Sequence, residues 1–365
     1  MVMLVKVLDK YIGAVMCLLL SPISIAIKNK FPEKARKILL IQLWGVGESI
    51  LTLPAITELK KKYKGRSIAV LCTERNKAVY YNQGVEIIEL SMNPLLIAFF
   101  LLKNMRKFDI VVDFEEYLKI SAIISFLLGK YSIGYSHGIR SKLYSVKVRY
   151  NDVQHVSQTF ADLLNPLCIS AKIQELTKLK YGKEDMDHIN KLLNKIKMKN
   201  GKIAAISAGA AESAKCRMWP KEKWAELIDR IPYENVLLIG GKDVYRENEE
   251  ILGMLKSRKH VCNIAGMTSQ NELFALMEKV SLVISIDSGP MHVAAAQRIK
   301  TVGLFCPNTP VRFGPLGKGN ISIYKPVLPK PCINVHKGEV PNCGRHNHMS
   351  KIAVEDVFQA ARKSI

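Results

Sequence analysis

The chain has 365 residues, 48% of them apolar and 7% aromatic, and a formal net charge of +22. Such a length exceeds one ordinary core, so two domains are expected. The excess of Lys and Arg implies an anionic partner; lacking zinc-finger spacing, an RNP-type aromatic motif and aromatics for base stacking, the chain points away from nucleic acid and towards a phosphorylated substrate or an acidic membrane.

In chain order, the first feature is Tyr11 to Ile27, uncharged and mostly apolar, with Lys6, Lys10, Lys28 and Lys30 on its flanks. It lacks a small-residue cleavage site, and at the short limit for a spanning helix it is interrupted by Ser21-Pro22. A helix-break-helix lying in one leaflet with lysines at the headgroups is expected, a core helix and a true span or signal being the alternatives. The eight cysteines are scattered and read as small buried hydrophobes in a reducing compartment.

Ile38 to Leu43 is an apolar strand, Trp44-Gly-Val-Gly-Glu48 a turn, and Ser49 to Tyr63 a helix. Gly45 and Gly47 form a G-x-G, but Ile50 stands where a dinucleotide fingerprint has its third glycine, so a dehydrogenase loses its main support. Gly47 is expected to turn the backbone tightly and project Glu48 at the carboxyl end of the strand. Strands at 67–72, 86–90, 108–114 and 130–135 alternate with helices at 76–82, 93–106 and 116–128. A basic loop follows with His137, Arg140, Lys142, Lys147 and Arg149, then a helix from His155 to Leu167. This alternation predicts a parallel sheet covered by helices on both faces.

The hinge is expected within Lys172 to Asn200, with a short strand from Leu176 to Tyr181 and a lysine-rich amphipathic helix. A second alternating set then runs from Lys202 to the C-terminal helix at 354–363. Its most informative stretch is Leu282-Val-Ile-Ser-Ile-Asp-Ser-Gly-Pro-Met-His-Val-Ala-Ala-Ala296, a strand buried on both faces, a break and a helix that begins at Gly-Pro. It leaves Asp287 and Ser288 beside free helix amides, where open α/β sheets bind anions. Two doubly wound domains would face one another across a cleft, with the Gly45–Glu48, Ser207–Trp219, Gly240–Asp243 and Asp287–His292 segments turned towards it. The expected division is an apolar membrane-associating segment at 1–36, an acceptor domain at 37–180 and a donor domain at 181–365, with the last helix a candidate to return to the first domain.

Four stretches together carry a resemblance. Ile38 to Ala55 (ILLIQLWGVGESILTLPA), Lys215-Cys-Arg-Met-Trp-Pro-Lys-Glu-Lys-Trp224, Val236 to Gly241, and Asp287 to Ala295 followed by Val302-Gly-Leu-Phe-Cys-Pro-Asn-Thr-Pro310 resemble, in order, elements of glycosyltransferase family 9, the ADP-heptose:lipopolysaccharide heptosyltransferases and relatives, whose fold is GT-B. The likeness runs from about Lys37 to the C-terminal helix. Glu48 stands where the family usually has Asp, Arg217 where it usually has Lys, and Ser288 where it has Thr.

The resemblance implies inverting, metal-independent transfer of a sugar, by default heptose from ADP-heptose, to a hydroxyl of a lipopolysaccharide core or related anionic lipid-linked acceptor. This would take place at the cytoplasmic face of the bacterial inner membrane, with the nucleotide sugar as substrate and no cofactor or metal. Glu48 is the expected general base, the alternative being a carboxylate that complements a helix dipole. Arg217 and Lys215 would grip the diphosphate, or else are solvated loop charges. Asp287 would bind sugar hydroxyls with the Ser288 and Gly289 amides on the phosphate, or else only cap a turn. His292, Ser207, Gly209, Gly241 and Asp243 are further donor-side candidates; a packed histidine and an N-capping Asp243 are the alternatives. Gly45, Gly47 and Arg140 are assigned to the acceptor side. Cys332, His336, Cys343, His346 and His348 lack the close pairs of a zinc site and read as a polar loop. A family member using another nucleotide sugar, and a non-catalytic nucleotide-binding protein at a membrane, are the competing functions.

Overall fold

The computed structural model describes residues 8–27, 29–91, 93–210, 212–258, 260–327, 332–333, 338 and 348–363. Lys6, Lys28, His336, Cys343 and His346 therefore lie outside the described residues. Residues up to Ile173, with Gly338, form one compact unit, and residues from Gln174 on form the other. Each unit contains one six-stranded sheet.

In the first unit the strands are β1 (Lys37–Ile41), β2 (Ser67–Cys72), β3 (Glu86–Glu89), β4 (Phe108–Asp113), β5 (Gly129–Tyr135) and β6 (Val146–Val148), ordered β3-β2-β1-β4-β5-β6. Every pairing is parallel. Parallel pairing needs crossovers, and the chain supplies α2 (Val46–Lys62) after β1, α3 (Pro94–Lys103) before β4, α4 (Lys119–Leu128) before β5, and then α5 (Val156–Asp162). The strand order reverses between β1 and β4, and right-handed crossovers then put α3 and α4 on one face of the sheet. The core strands are apolar runs without alternation, as burial on both faces requires: Ile38 to Ile41 are all fully buried.

The N-terminal segment departs from expectation. It is one helix, α1 (Asp9–Ala26), with a π turn over Asp9–Gly13 and no break at Pro22. Pro22 has no N–H to offer the Leu18 carbonyl four residues back; Ser21 Oγ donates to that carbonyl at 2.9 Å instead and lets the helix run on. Among the described residues α1 is the one helix long and apolar enough to cross a membrane, and 22% of it is buried. Asp9 docks it, accepting from the Lys119 amide at 3.0 Å and the Ile120 amide at 2.8 Å, the unsatisfied donors at the start of α4. Gly13 allows the close approach, since a Cβ there would fall 2.9 Å from Lys119 Cβ. Cys17 completes the seam against Ala122, Ile123 and Phe126 of α4.

The second unit repeats the plan with β7 (Ile203–Ser207), β8 (Asn235–Leu238), β9 (Val261–Asn263), β10 (Leu282–Ile286), β11 (Lys300–Phe305) and β12 (Ile321–Tyr324), ordered β12-β11-β10-β7-β8-β9 and all parallel. Its helices are α6 (Lys183–Lys195), α7 (Lys221–Arg230), α8 (Tyr245–Gly253), α9 (Gln270–Leu276), α10 (Gly289–Ala296), α11 (Pro310–Phe313) and α12 (Val354–Arg362). α12 packs against α7, β11 and β12. The strand expected at Leu176 to Tyr181 is absent. Leu176 and Leu179 are buried, but the segment is held by the Gln297 side chain, whose Oε1 accepts from the Leu179 amide at 3.1 Å, and it joins no ladder.

Candidate functional site

Each sheet has one place where the strand order reverses. There, neighbouring connections leave in opposite directions and open a crevice at the strands' carboxyl ends. In the first unit this place is between β1 and β4; in the second it is between β7 and β10. Of the four polar turns singled out in the sequence, those at Gly45–Glu48, Ser207–Trp219 and Asp287–His292 follow strands at these two points, while Gly240–Asp243 follows β8, one strand further out.

In the first unit, β1 leads into Gln42 to Gly45, and β4 into Phe114 to Glu116. Buried Glu115 joins the two. Its Oε1 accepts from the Leu43 amide at 2.6 Å, the Trp44 amide at 2.8 Å and Gln42 Nε2 at 3.2 Å, which fixes the path of the turn. From the other side, Asn76 Nδ2 donates to the Gln42 carbonyl at 2.9 Å and to Ser49 Oγ at 2.7 Å. The tight bend lies at Gly45, not Gly47. Gly45 has φ +80, while Gly47 already sits in the first turn of α2, which starts at Val46, three residues earlier than expected. Glu48 is the acidic residue of that first turn. Its carboxylate folds back over Gly45: a Cβ there would lie 1.9 Å from Glu48 Oε2. Gly45 is thus required both for its backbone angle and for the space that Glu48 occupies.

Burial, reinforced by the neighbouring charge of Asp113, pushes the Glu115 carboxyl up to about 8, against the opposing pull of the Leu43 and Trp44 amides and of Arg140. The ordinary value is 4.5. Between these values the folded chain holds a proton that the unfolded chain has released, so this contribution to stability is complete below the ordinary value and is lost as pH climbs through about 8. Glu115→Gln cannot ionise and can still accept from the turn amides. Relative to wild type, its stability in urea melts should rise with pH between about 4.5 and 8, by at most about 1.4 kcal/mol per unit. Parallel profiles for the two proteins would show that Glu115 does not carry that proton.

Arg140, assigned to the acceptor side from its basic loop, is 2% exposed and spends its guanidinium inside the fold. Nη2 donates to Asp113 Oδ2 at 2.7 Å and to Ser121 Oγ at 3.2 Å, and it lies 2.5 Å from the Tyr144 hydroxyl, which itself donates to Asp113 at 2.6 Å. A buried carboxylate on β4 needs a cation, and the basic loop supplies it. Arg140 therefore positions the β4 end and is removed from the acceptor-contacting set.

In the second unit, Ser207 ends β7, and Asp287 and Ser288 follow β10. Their hydroxyls form a chain, Ser207 Oγ lying 3.3 Å from Ser288 Oγ and Ser285 Oγ 2.9 Å from it. Asp287 is nearly fully buried and doubly held. Asn308 Nδ2 donates to its Oδ2 at 2.7 Å, and Arg217 Nη1 lies 3.3 Å from the same oxygen while donating to the Asp287 backbone carbonyl at 3.1 Å. The loops after β7, β10 and β11 thus meet at one carboxylate. Arg217 Nε is buried with no hydrogen-bond partner among the described residues, so the guanidinium retains unused donor capacity. Trp219 explains why Arg217 is there. Its indole is buried, packs edge-on against Trp224 with centroids 4.8 Å apart, and donates to the Ile352 carbonyl at 3.1 Å, anchoring the loop two residues beyond Arg217.

α10 begins at Gly289 with Pro290 in its first turn, and a Cβ on Gly289 would meet nothing within 4 Å. The N-terminus of α10 is therefore open to a ligand's approach. Lys215 is exposed on the same short helical turn as Arg217, Glu212–Arg217. His292 is buried in α10 and belongs to the packing side of that helix. Gly209 and Gly240 both make room for Val244: a Cβ on either would lie 2.4 Å from it. Gly241 lies under the exposed Asp243, whose Oδ1 would be 2.4 Å from a Cβ there. Among the described residues no group of three or more His, Cys, Asp and Glu side chains could hold a metal ion, and all the described cysteines are free.

Sequence reasoning missed Asn308 and Glu115 as positioning residues. Asn308 lay within the quoted Cys306-Pro-Asn-Thr-Pro310 stretch, but its partner Asp287 is 21 positions earlier. Glu115 followed the apolar run FDIVVDF with Glu116, and two adjacent acids at the end of a buried strand were the available clue.

The family model for glycosyltransferase family 9 (heptosyltransferase) matches residues 101–339. Lipopolysaccharide core heptosyltransferase OpsX of Haemophilus influenzae is 25% identical over 280 residues, 72% of this chain and 76% of that protein. Of solved structures, a glycosyl transferase family 9 protein from Veillonella parvula superposes with TM-score 0.75 at 20% identity, covering 91% of this chain and 98% of that one. The E. coli ADP-heptose lps heptosyltransferase II superposes with TM-score 0.69 at 19% identity, covering 90% and 98%. With two parallel α/β units, a match over most of the chain and polar turns gathered at both switch points, this chain belongs to glycosyltransferase family 9 and is a glycosyltransferase.

Proposed function

We propose that the chain is an inverting GT-B enzyme that moves a heptose from ADP-heptose to a hydroxyl of a lipopolysaccharide core or related glycolipid at the cytoplasmic face of the bacterial inner membrane. The observation that carries the donor side is the meeting of Arg217, Asp287 and Asn308 with the Ser207 and Ser288 hydroxyls at the switch point of the second sheet. The names of the relatives support heptose, ADP and lipopolysaccharide.

In this reading the second unit binds the donor. Arg217, reinforced by Lys215, neutralises the diphosphate, and the amide of Gly289 at the open start of α10 adds a donor. Asp287 accepts from sugar hydroxyls. The first unit supplies Glu48, which takes the proton of the acceptor hydroxyl as its oxygen attacks the anomeric carbon and the C–O bond to the diphosphate breaks. A single displacement inverts the anomeric centre. The leaving charge is met by Arg217, Lys215 and backbone amides rather than by a metal ion. The longer reach of Glu48, compared with the family's usual Asp, favours an acceptor hydroxyl held differently from that of the Asp-bearing members.

The direct test is release of nucleoside diphosphate from a panel of nucleotide sugars, including ADP-heptose, other ADP-sugars and UDP-sugars, with and without a deacylated core acceptor. ADP release from ADP-heptose that needs acceptor is expected. Turnover of a UDP-sugar alone would move the chain to another donor, and turnover of none would leave a nucleotide-binding protein. Excess EDTA should leave the rate unchanged; a rate that falls with EDTA and returns with a divalent cation would rule out metal-independent departure of the diphosphate.

A further inference from the structure

α3 is built from Pro94-Leu-Leu-Ile-Ala-Phe-Phe-Leu-Leu-Lys103, yet none of its residues is fully buried. Ile97, Phe100 and Leu101 face the core of the first unit, while Leu95, Phe99 and Leu102 are 80%, 64% and 70% exposed. α1 shows the same imbalance on its outer side, with Leu19 at 70% and Ile25 at 75%.

These two helices flank α4. α1 packs on Ala122, Ile123 and Phe126 of α4, and α3 adjoins its Ile124 and Leu128 side. α1 and α4 start together, where Asp9 accepts from the Lys119 and Ile120 amides. All three end together at Arg106. Its amide donates to the Leu127 carbonyl at 2.9 Å, Nη1 to the Gly129 carbonyl at 2.9 Å and Nη2 to Asn29 Oδ1 at 2.8 Å. The helices are therefore a side-by-side layer on one face of the sheet, with buried α4 in the middle and an exposed apolar face on each flank.

We propose that the outer faces of α1 and α3 form one platform that inserts into the surface of an acidic lipid bilayer. The charges select this occupant. Neither helix presents a carboxylate outward: α3 has none, and Asp9, the one acid of α1, is turned onto the α4 amides. The exposed cations are Lys10 in the first turn of α1, Lys30 beyond its end, Lys103 at the end of α3 and Lys107 just after it. Apolar side chains that enter the acyl boundary with lysines at the headgroups match an anionic membrane surface. A second copy of the chain would set lysine against lysine. Tyr11, exposed beside Lys10, adds the aromatic side chain that suits the interface. The platform stands apart from the transfer chemistry and extends beyond the N-terminal helix, because α3 supplies half of it.

The test uses the full chain without donor or acceptor. It should co-sediment with vesicles of phosphatidylethanolamine and phosphatidylglycerol, and more weakly with phosphatidylcholine alone. Combined Leu95→Glu, Phe99→Glu and Leu102→Glu, which leaves α1 untouched, should weaken partition to the anionic vesicles on the order of a hundredfold, with acceptor-dependent ADP release on a soluble acceptor unchanged. Wild-type partition by this variant would overturn the proposal. So would a wild-type dimer in solution that the variant converts to monomer, since the face would then be an interface between copies. Phe99→Trp provides a reading that does not rely on a charged variant: its added fluorescence should be quenched by bromine-labelled acyl chains, and an unquenched signal would likewise refute insertion of α3.

Discussion

Glu48→Gln should lower kcat by about 10²–10⁴-fold while leaving ADP binding at its wild-type affinity. The substitution keeps the side chain's size and its fit over Gly45 but removes the ability to take a proton. Because Glu48 lies on the first unit and the cluster proposed to bind the donor lies on the second, calorimetric titration with ADP should be indifferent to the change. Gly45→Ala should reach the same endpoint by another route. A methyl group there collides with Glu48 Oε2 and meets an unfavourable φ of +80, so the carboxylate must move. If Glu48→Gln turns over at the wild-type rate, the base is another residue and the carboxylate at this helix start only complements the dipole.

Arg217→Ala should act on the other half. On the proposed reading it removes a cation from the diphosphate, and it leaves the nearly buried Asp287 with the Asn308 side-chain amide as donor. A hydrogen bond to a charged group is worth about 1.5–3 kcal/mol, so the KM for the donor should rise roughly 10–100-fold, with a measurable fall in melting temperature. Arg217→Lys should recover part of the charge but not the paired contact to the Asp287 carbonyl and carboxylate. Asp287→Asn separates the roles. It keeps a side chain that can accept from Asn308, so stability should change less than in Arg217→Ala while donor KM still rises. If both variants lose stability and keep donor KM, the cluster is only a loop clasp.

The sequence made the interior of both sheets legible. Strands such as Ile38 to Ile41 and Leu282 to Ile286 are apolar on both faces, and each ends in a glycine-containing turn. It was silent on β6 and β12, two of the four edge strands, where Val146–Val148 and Ile321–Tyr324 are short and contain no fully buried residue. Pro22 read as a break because a single chain position cannot reveal that the neighbouring serine would satisfy the freed carbonyl. Arg140 was misassigned for a related reason. A basic loop looks solvated until its carboxylate partner, Asp113, 27 positions earlier, is seen buried beside it. The strand, break and helix N-terminus around Asp287 were legible because they are contiguous in sequence. Asn308 was not, because its role depends on the register of β10 beside β11.

The docking of α1 has a consequence for the order of events during synthesis. Its partners lie far downstream: the amides that hold Asp9 are 110 and 111 positions later, and Asn29 waits for Arg106 and Ser145, 77 and 116 positions later. At translation rates of roughly 5–20 residues per second, α1 is out of the ribosome for several seconds before α4 exists to receive it. Through that interval even the face that later carries Gly13, Cys17 and Ser21 is uncovered. The native seam of this helix therefore closes only after more than a hundred further residues have been made.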